Sequence, residues 1–450
     1  MDIISILRGI LGIVVILAIA FLFSNNKKKV NWKLVATGLT IQFIFAIFII
    51  KGEAMGKFFY PLALPIKFFK WVSSFFVLIL NFTTEGALFI FGDLAKSPGT
   101  EGSMGFFFAF QVLPTIIFFA TLMSVLYHLG IMQKVVQAMA WVMAKLLGTS
   151  GAESLSVSAN IFVGQTEAPL MIKPYLKGLT KSELLTIMTG GMATIAGGVM
   201  AAYIQMLSQS YGATLGLTIK EAQLLFATHL LGASIMAAPA SLVLSKIIFP
   251  ETESPETKGN VKVSIEKNAS NTIEAAAIGA SDGLKLALNV AAMLLAFISL
   301  IALTNYVLEF IGSFTGLNDI LLAQYNKPLN LQLILGLILQ FLGLLIGVPA
   351  DSALQFGSLF GSKIVLNEFV AYFEMSNMIK LKELINEKAI LMATYALCGF
   401  ANFSSIAIQI GGIAPIAPNQ RTALASLGIR AVIAGALSTL MTATLAGILF

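Results

Sequence analysis

Apolar positions along this chain fall into long runs separated by short polar or charged stretches. Runs at 9–24, 35–50, 106–129, 184–207, 223–249, 284–310, 390–410 and 429–450 predict spanning helices, since about 20 mostly apolar residues cross a bilayer core. Two further stretches, 132–147 and 331–346, are read as helices lying at a membrane surface. In the first of these, Lys134 and Lys145 alternate with Val135, Val136, Met139 and Trp141. Residues 51–104 are mixed, and Lys67, Phe68, Phe69, Lys70 and Trp71 predict an external amphipathic segment with snorkelling lysines.

Two apolar stretches are interrupted by polar residues. The first, SLSVSANIFVGQTEAPLMIKPY at 154–175, holds Gln165, Thr166 and Glu167 between Gly164 and Pro169. A plain spanning helix through those residues would leave backbone groups unpaired. The pattern predicts a re-entrant hairpin instead: a short helix in, a polar tip, a short helix out. A carboxylate at that depth is costly and reads as a ligand or ion site; a tight interfacial turn is the plainer alternative. The second stretch, ALQFGSLFGSKIVLNEFVAYF at 353–373, places Asn367 and Glu368 where the first has Thr166 and Glu167.

The run after each hairpin is interrupted too. Gly190, Gly191, Gly197 and Gly198 surround Thr194, and Gly399, Asn402, Ser404 and Ser405 lie inside 390–410. Such residues serve close helix packing or mark a helix unwound in mid-membrane. The order of span, surface helix, hairpin, broken span and span is therefore written twice. This divides the chain into N-terminal spans and external segment (1–104), a first repeat (105–250), a cytoplasmic linker (251–278) and a second repeat (279–450). The repeats start from opposite sides, an inversion common among secondary transporters.

Charge sets the orientation. Lys27, Lys28, Lys29 and Lys33 place the first loop in the cytoplasm and the N terminus outside, and Arg421 and Arg430 mark a late cytoplasmic loop, leaving the C terminus outside. The segment 374–388 opposes this with Lys380, Lys382 and Lys388; the repeat outweighs it. The polar linker, with Lys258, Lys262 and Lys267, reads as a solvated loop. Ala18, Ile19 and Ala20 have the form of a signal-cleavage site, but the apolar run continues past them.

Composition agrees with a polytopic, all-α membrane protein. The 450 residues are 57% hydrophobic and 11% charged, with mean hydropathy +0.89, against about 25% charged in soluble domains. The net charge of +6 resides mostly in residues flanking apolar runs and gives no sign of nucleic-acid binding. A single cysteine, Cys398, excludes an internal disulfide, and His128 and His229 form no zinc motif. No phosphate-binding GxxxxGK[ST] loop is present, which argues against ATP-driven pumping.

GQTEAPL at 164–170, NEFVAY at 367–372, ATYALCGFANFSSIAIQIGG at 393–412 and FTTEGALFIFGDL at 82–94 together resemble the concentrative nucleoside transporter family. The resemblance implies a homotrimer with eight spans, two re-entrant hairpins and a mobile transport domain. It implies that Gln165, Thr166, Glu167 and Val199 face the nucleobase, and that Glu368, Phe400, Asn402 and Ser405 face the ribose. The chemistry suits such a ligand: Gln165 and Thr166 donate and accept, and Glu368 accepts from a pair of hydroxyls. By the same resemblance, sodium would be held by the side chains of Asn160 and Thr194 and the carbonyls of Val163 and Ile195. The family often has Ser where this chain has Thr194. GQTEAP resembles the sodium-coupled members, with proton coupling as the alternative. No other cofactor is implied, and the expected setting is the inner (plasma) membrane and its lipid bilayer. Two other classes stay open: an intramembrane enzyme using Glu167 and Glu368 as acid and base, and an ion channel lined by carboxylates. The absence of a Ser–His, Cys–His or metal-ligand arrangement argues against the enzyme.

Overall fold

The computed structural model describes residues 3–98, 100–259 and 269–450. Helices α1 (Ile3–Leu22), α2 (Trp32–Phe58) and α3 (Leu64–Phe91) open the chain. A short α4 (Phe108–Gln111) leads into α5 (Leu113–His128) and α6 (Ile131–Leu147). The first hairpin enters as α7 (Gly151–Ala159) and returns as a 3₁₀ segment, Ala168–Gly178. Next come α8 (Lys181–Ala193) and α9 (Gly197–Leu215), two halves of one broken helix, and α10 (Ile219–Ile248). The second half repeats this order: α11 (Thr272–Phe314), α12 (Leu317–Tyr325), α13 (Leu331–Leu345), a hairpin of α14 (Ala353–Val365) and α15 (Glu368–Lys380), a broken pair α16 (Glu387–Leu397) and α17 (Phe403–Ile413), and α18 (Arg421–Leu449).

Among the described residues, seven helical stretches are long and apolar enough to cross a membrane. Three shorter apolar helices, Ile6–Leu22, Leu331–Leu345 and Phe403–Ile413, accompany them. The seven include Tyr60–Ala95, where the sequence predicts an external amphipathic segment. The lysines of that segment, Lys67 and Lys70, occupy only the first turns of α3, and no charge follows until Glu85. Beyond Trp71 the helix is as apolar as any span.

The helices form two layers. In the most apolar windows of Lys181–Thr214, Ile219–Ile248 and Pro418–Leu449, 94% of residues are buried. In the windows of Tyr60–Ala95 and Thr272–Phe314 the share is 22%. Helices α8, α9, α10 and α18 therefore make an inner body with both hairpins, and α2, α3, α5 and α11 flank it with apolar faces outward.

The first hairpin is anchored at its base by two capping boxes. Ser150 caps α7 with Glu153, and Thr180 caps α8 with Glu183, the S/T-x-x-E pattern that satisfies two orphan donors at once. Lys246 of α10 lies between them: its Nζ is 2.7 Å from Glu153 and donates to Ser182 at 2.9 Å. The start of the linker crosses this base. Gly151 N–H donates to Thr257 O and Ala152 N–H to Thr257 Oγ1, at 2.9 and 3.0 Å, while Thr180 Oγ1 donates to Glu251. Residues 249–258 are thus a strap over two helix N-termini, rather than the free solvated loop the composition predicts. Lys262 and Lys267 lie outside the described residues.

Candidate functional site

The two hairpin tips and the two helix breaks meet inside the inner body. In the first hairpin α7 stops at Ala159, and Asn160 caps its C-terminus. The chain turns through Gly164 and leaves as a 3₁₀ segment in which Pro169 and Pro174 prevent a regular α-helix. The predicted return helix is therefore 3₁₀ and kinked at Ile172. The first broken helix is unwound over residues 194–196, with Thr194 and Ala196 extended. Gly197 N–H donates to Phe162 O at 3.0 Å, so the tip rests on the break.

In the second half, α14 ends at Val365, and Asn367 caps α15 by accepting from Val370 N–H. Glu368 is the first residue of α15, where the helix N-terminus favours a negative charge. The second break separates α16 from α17, and Asn402 caps α17 by accepting from Ser405 N–H. Gly399, in this break, has φ +142°, and a Cβ there would sit 2.7 Å from the carbonyl oxygens of Met192 and Ala193. The second break thus lies directly on the end of α8, close to the first break. Only glycine fits that position.

A polar network ties these pieces together. Glu368, 5% exposed, accepts from Tyr203 OH at 3.1 Å and from Asn402 Nδ2 at 2.9 Å. Gln165 Nε2 donates to Ser405 Oγ at 3.1 Å, and Gln409 Nε2 donates to Gln165 Oε1 at 2.9 Å and to Met188 O at 3.0 Å. Gly191 makes room for this: a Cβ there would sit 2.7 Å from Gln409 Nε2 and 2.9 Å from Gln165 Cβ. Gln165, Glu368, Asn402 and Ser405 are thus brought together, from residues up to 240 apart in the chain.

The other predicted residues are placed differently. Thr166 faces Gly412, where a Cβ would meet its Cγ2 at 2.9 Å. Val199 is buried in the first turn of α9, and Phe400 is partly buried against the core. Glu167 does not join the network; it accepts from Gly164 N–H at 3.3 Å. Its side chain lines a cavity of about 410 Å³ between the first hairpin and the facing α5 and α11. Tyr127, His128, Lys173 and Asp282 also line that cavity.

Asn160 and Val163 belong to the first tip and Thr194 and Ile195 to the first break, two segments that the Gly197–Phe162 hydrogen bond joins. Asn160 is 1% exposed; its Nδ2 donates to Ser156 O at 3.0 Å, while its Oδ1 is buried without a hydrogen-bond partner. Thr194 Oγ1 donates to Gly190 O at 2.8 Å, which leaves its lone pairs for a cation. A buried amide oxygen with no donor beside an unwound backbone fits a hard cation. Groups of three or more His, Cys, Asp or Glu able to hold a metal are absent among the described residues.

Sequence reasoning missed three residues. Tyr203, fully buried, donates to Glu368. Gln409 links Gln165 to α8. Lys363, fully buried in α14, donates to Ala396 O at 2.8 Å and Thr439 Oγ1 at 2.9 Å. A charge inside the apolar run ALQFGSLFGSKIV was the available signal for Lys363, and Gln409 lies one helical turn beyond Ser405.

Comparison with known proteins bears on this geometry. Residues 11–94 and 229–447 match the families described as the N-terminus and C-terminus of a Na+ dependent nucleoside transporter, and residues 109–210 match one described as nucleoside recognition. The chain is 45% identical to the uncharacterized transporter YutK of Bacillus subtilis, covering 98% of this chain and 99% of that protein. It is 39% identical to the nucleoside permease NupC of Helicobacter pylori, covering 99% and 98%. It is 38% identical to sodium/nucleoside cotransporter 1 of Mus musculus, covering 98% of this chain and 63% of the mouse protein. Among solved structures, CNTnw in an inward-facing substrate-bound state is 38% identical, covers 98% of both chains and has a TM-score of 0.83.

Proposed function

This chain belongs to the concentrative nucleoside transporter family, a family of multi-pass membrane transporters and not of enzymes, and on that premise we propose that it imports nucleosides by symport with sodium. The observation that carries this reading is the buried network of Gln165, Ser405, Gln409, Glu368 and Asn402 at the meeting of two hairpin tips and two helix breaks. Each member can exchange its internal hydrogen bond for one to a ligand. Glu368 takes the ribose hydroxyls, because an ionised carboxylate accepts from two donors at once. Asn402, Ser405 and Phe400 complete the ribose side. Gln165, Thr166 and Val199 meet the base, and Glu167 reaches the base from the adjoining cavity.

That cavity lies by the C-terminal end of α5 and the start of α11. The lysine pattern places those ends at the cytoplasm, so the cavity is the exit toward the inside. The protein sits in the inner (plasma) membrane with both termini outside. The densely buried inner body moves against the outer helices in an elevator-like exchange. The largely unburied apolar faces of α3 and α11 meet lipid and two further copies in a homotrimer. The two repeats are inverted, with the divisions given by the sequence.

Sodium binds where Asn160 Oδ1 lacks a donor, with Thr194 and the carbonyls of Val163 and Ile195. It thereby fixes the tip that carries Gln165, Thr166 and Glu167. A nucleoside then meets a site already ordered, so its apparent affinity rises with the competent fraction. Linkage makes the effect reciprocal, typically about 1–3 kcal/mol. Asn160→Ala is expected to weaken sodium dependence and nucleoside affinity together. Titrating uridine at several sodium concentrations, with choline as replacement, checks this; an Asn160→Ala variant that keeps the wild-type sodium dependence would remove the site.

A further inference from the structure

Each half of the chain builds the same corner: a hairpin tip, a break in the following helix, and a hydroxyl on the helix after that. In the first half these are the tip at 160–163, the break at 194–196, and Ser234 of α10, whose Oγ donates to Ile161 O at 3.4 Å. In the second they are the end of α14, the break after Leu397, and Thr439 of α18. The corners differ in charge. The first offers oxygens and has an unpartnered acceptor, Asn160 Oδ1. The second carries its own cation. Lys363, 0% exposed, sends its Nζ to Ala396 O at the end of α16 and to Thr439 Oγ1, with the ring of Phe360 5.6 Å away.

Those two acceptors are neutral oxygens, one of them a carbonyl at a helix C-terminus, where the dipole favours a cation. Such oxygens are also what a sodium ion selects at an unwound helix. We propose that the Lys363 ammonium is a built-in cation that takes, in the second repeat, the place the coupling ion takes in the first, so that a single sodium ion accompanies each nucleoside. The inference rests on the sodium reading above.

Its mechanical consequence is specific. On the sodium reading the arriving ion fixes the first tip, and sodium therefore controls it. The second tip, which carries Glu368 five residues after Lys363, is instead held by a covalently attached group that needs no arriving ion. Lys363 is a positioning residue: it acts on the nucleoside through the hairpin and the break that it joins. A plain capping role would also use these hydrogen bonds, but it would not alter how many ions the protein needs.

The test is the slope of log uridine affinity against log sodium concentration, measured on the full-length protein in lipid nanodiscs at constant ionic strength with choline. Wild type is expected to show a slope of about one, as for one linked ion. Lys363→Asn removes the ammonium and leaves an amide oxygen beside the freed Ala396 O and Thr439 Oγ1 as ligands for an ion. It is expected to weaken uridine binding roughly tenfold or more at low sodium, with recovery at high sodium and a slope approaching two. Lys363→Arg, which keeps the charge, is expected to retain the wild-type slope. A Lys363→Asn slope that stays at the wild-type value would overturn the inference while leaving sodium coupling intact. A wild-type protein insensitive to sodium would remove the coupling reading and this inference with it. Should the Asn variant fail to fold, the charge moved per nucleoside in wild-type proteoliposomes decides: about one supports the built-in cation, and two sodium ions per nucleoside contradict it.

Discussion

Glu368 combines three features that the proposed ribose site needs: burial, a helix N-terminus behind it, and two donors, Tyr203 and Asn402, that hold its carboxylate in place. Glu368→Gln keeps the shape but turns an amide N–H₂ toward one of those donors. The loss of a charged hydrogen bond is about 1.5–3 kcal/mol, or roughly tenfold to hundredfold in nucleoside affinity. Equilibrium titration with uridine checks this, alongside a melting curve showing that the variant is folded; unchanged affinity would take Glu368 out of the site. At this scale much was legible. A carboxylate, an asparagine and a glutamine inside apolar runs announce themselves by their cost. Tyr203 does not, because a tyrosine in a packed apolar helix is unremarkable until its hydroxyl finds a partner. The direction of Glu167 was also hidden. Consecutive side chains in a non-helical tip point where the local turn sends them, and here the Gly164 N–H turns Glu167 toward the cavity.

Among the elements, the helix breaks show how sequence signals with two readings resolve. Glycines around Thr194 suggested close packing or unwinding, and both occur. Gly190 lies where a Cβ would stand 2.7 Å from Val157 Cγ2, while residues 194–196 leave the helix. Gly399 is the more stringent case. An alanine there combines a left-handed φ with contact against two carbonyl oxygens. A strained non-glycine conformation costs about 1–3 kcal/mol before any clash. Gly399→Ala is therefore expected to lower the melting temperature and to weaken uridine binding by displacing Asn402, three residues on. A variant that melts and binds with the wild type would contradict the packing of the two breaks. The capping boxes were visible as S/T-x-x-E. The strap at 249–258 was not, since its hydrogen bonds reach residues about a hundred positions away, and composition alone reports only polarity. The length of α3 was obscured by lysines confined to its first turns.

For the whole molecule, the doubled order of elements was readable from the spacing of apolar runs, and the structure arranges it as a dense inner body with less buried helices outside. That division gives transport a physical basis: the inner body carries both hairpins, both breaks and the polar network, and the outer helices present it with an apolar wall. The central claim is that this body couples a nucleoside to sodium. The most direct measurement is uptake of radiolabelled uridine into proteoliposomes holding the purified protein, under an inward sodium gradient with pH equal on both sides. The expected result is saturable accumulation of chemically unchanged uridine that collapses when choline replaces sodium. Uptake indifferent to sodium but driven by an imposed pH gradient would contradict the account.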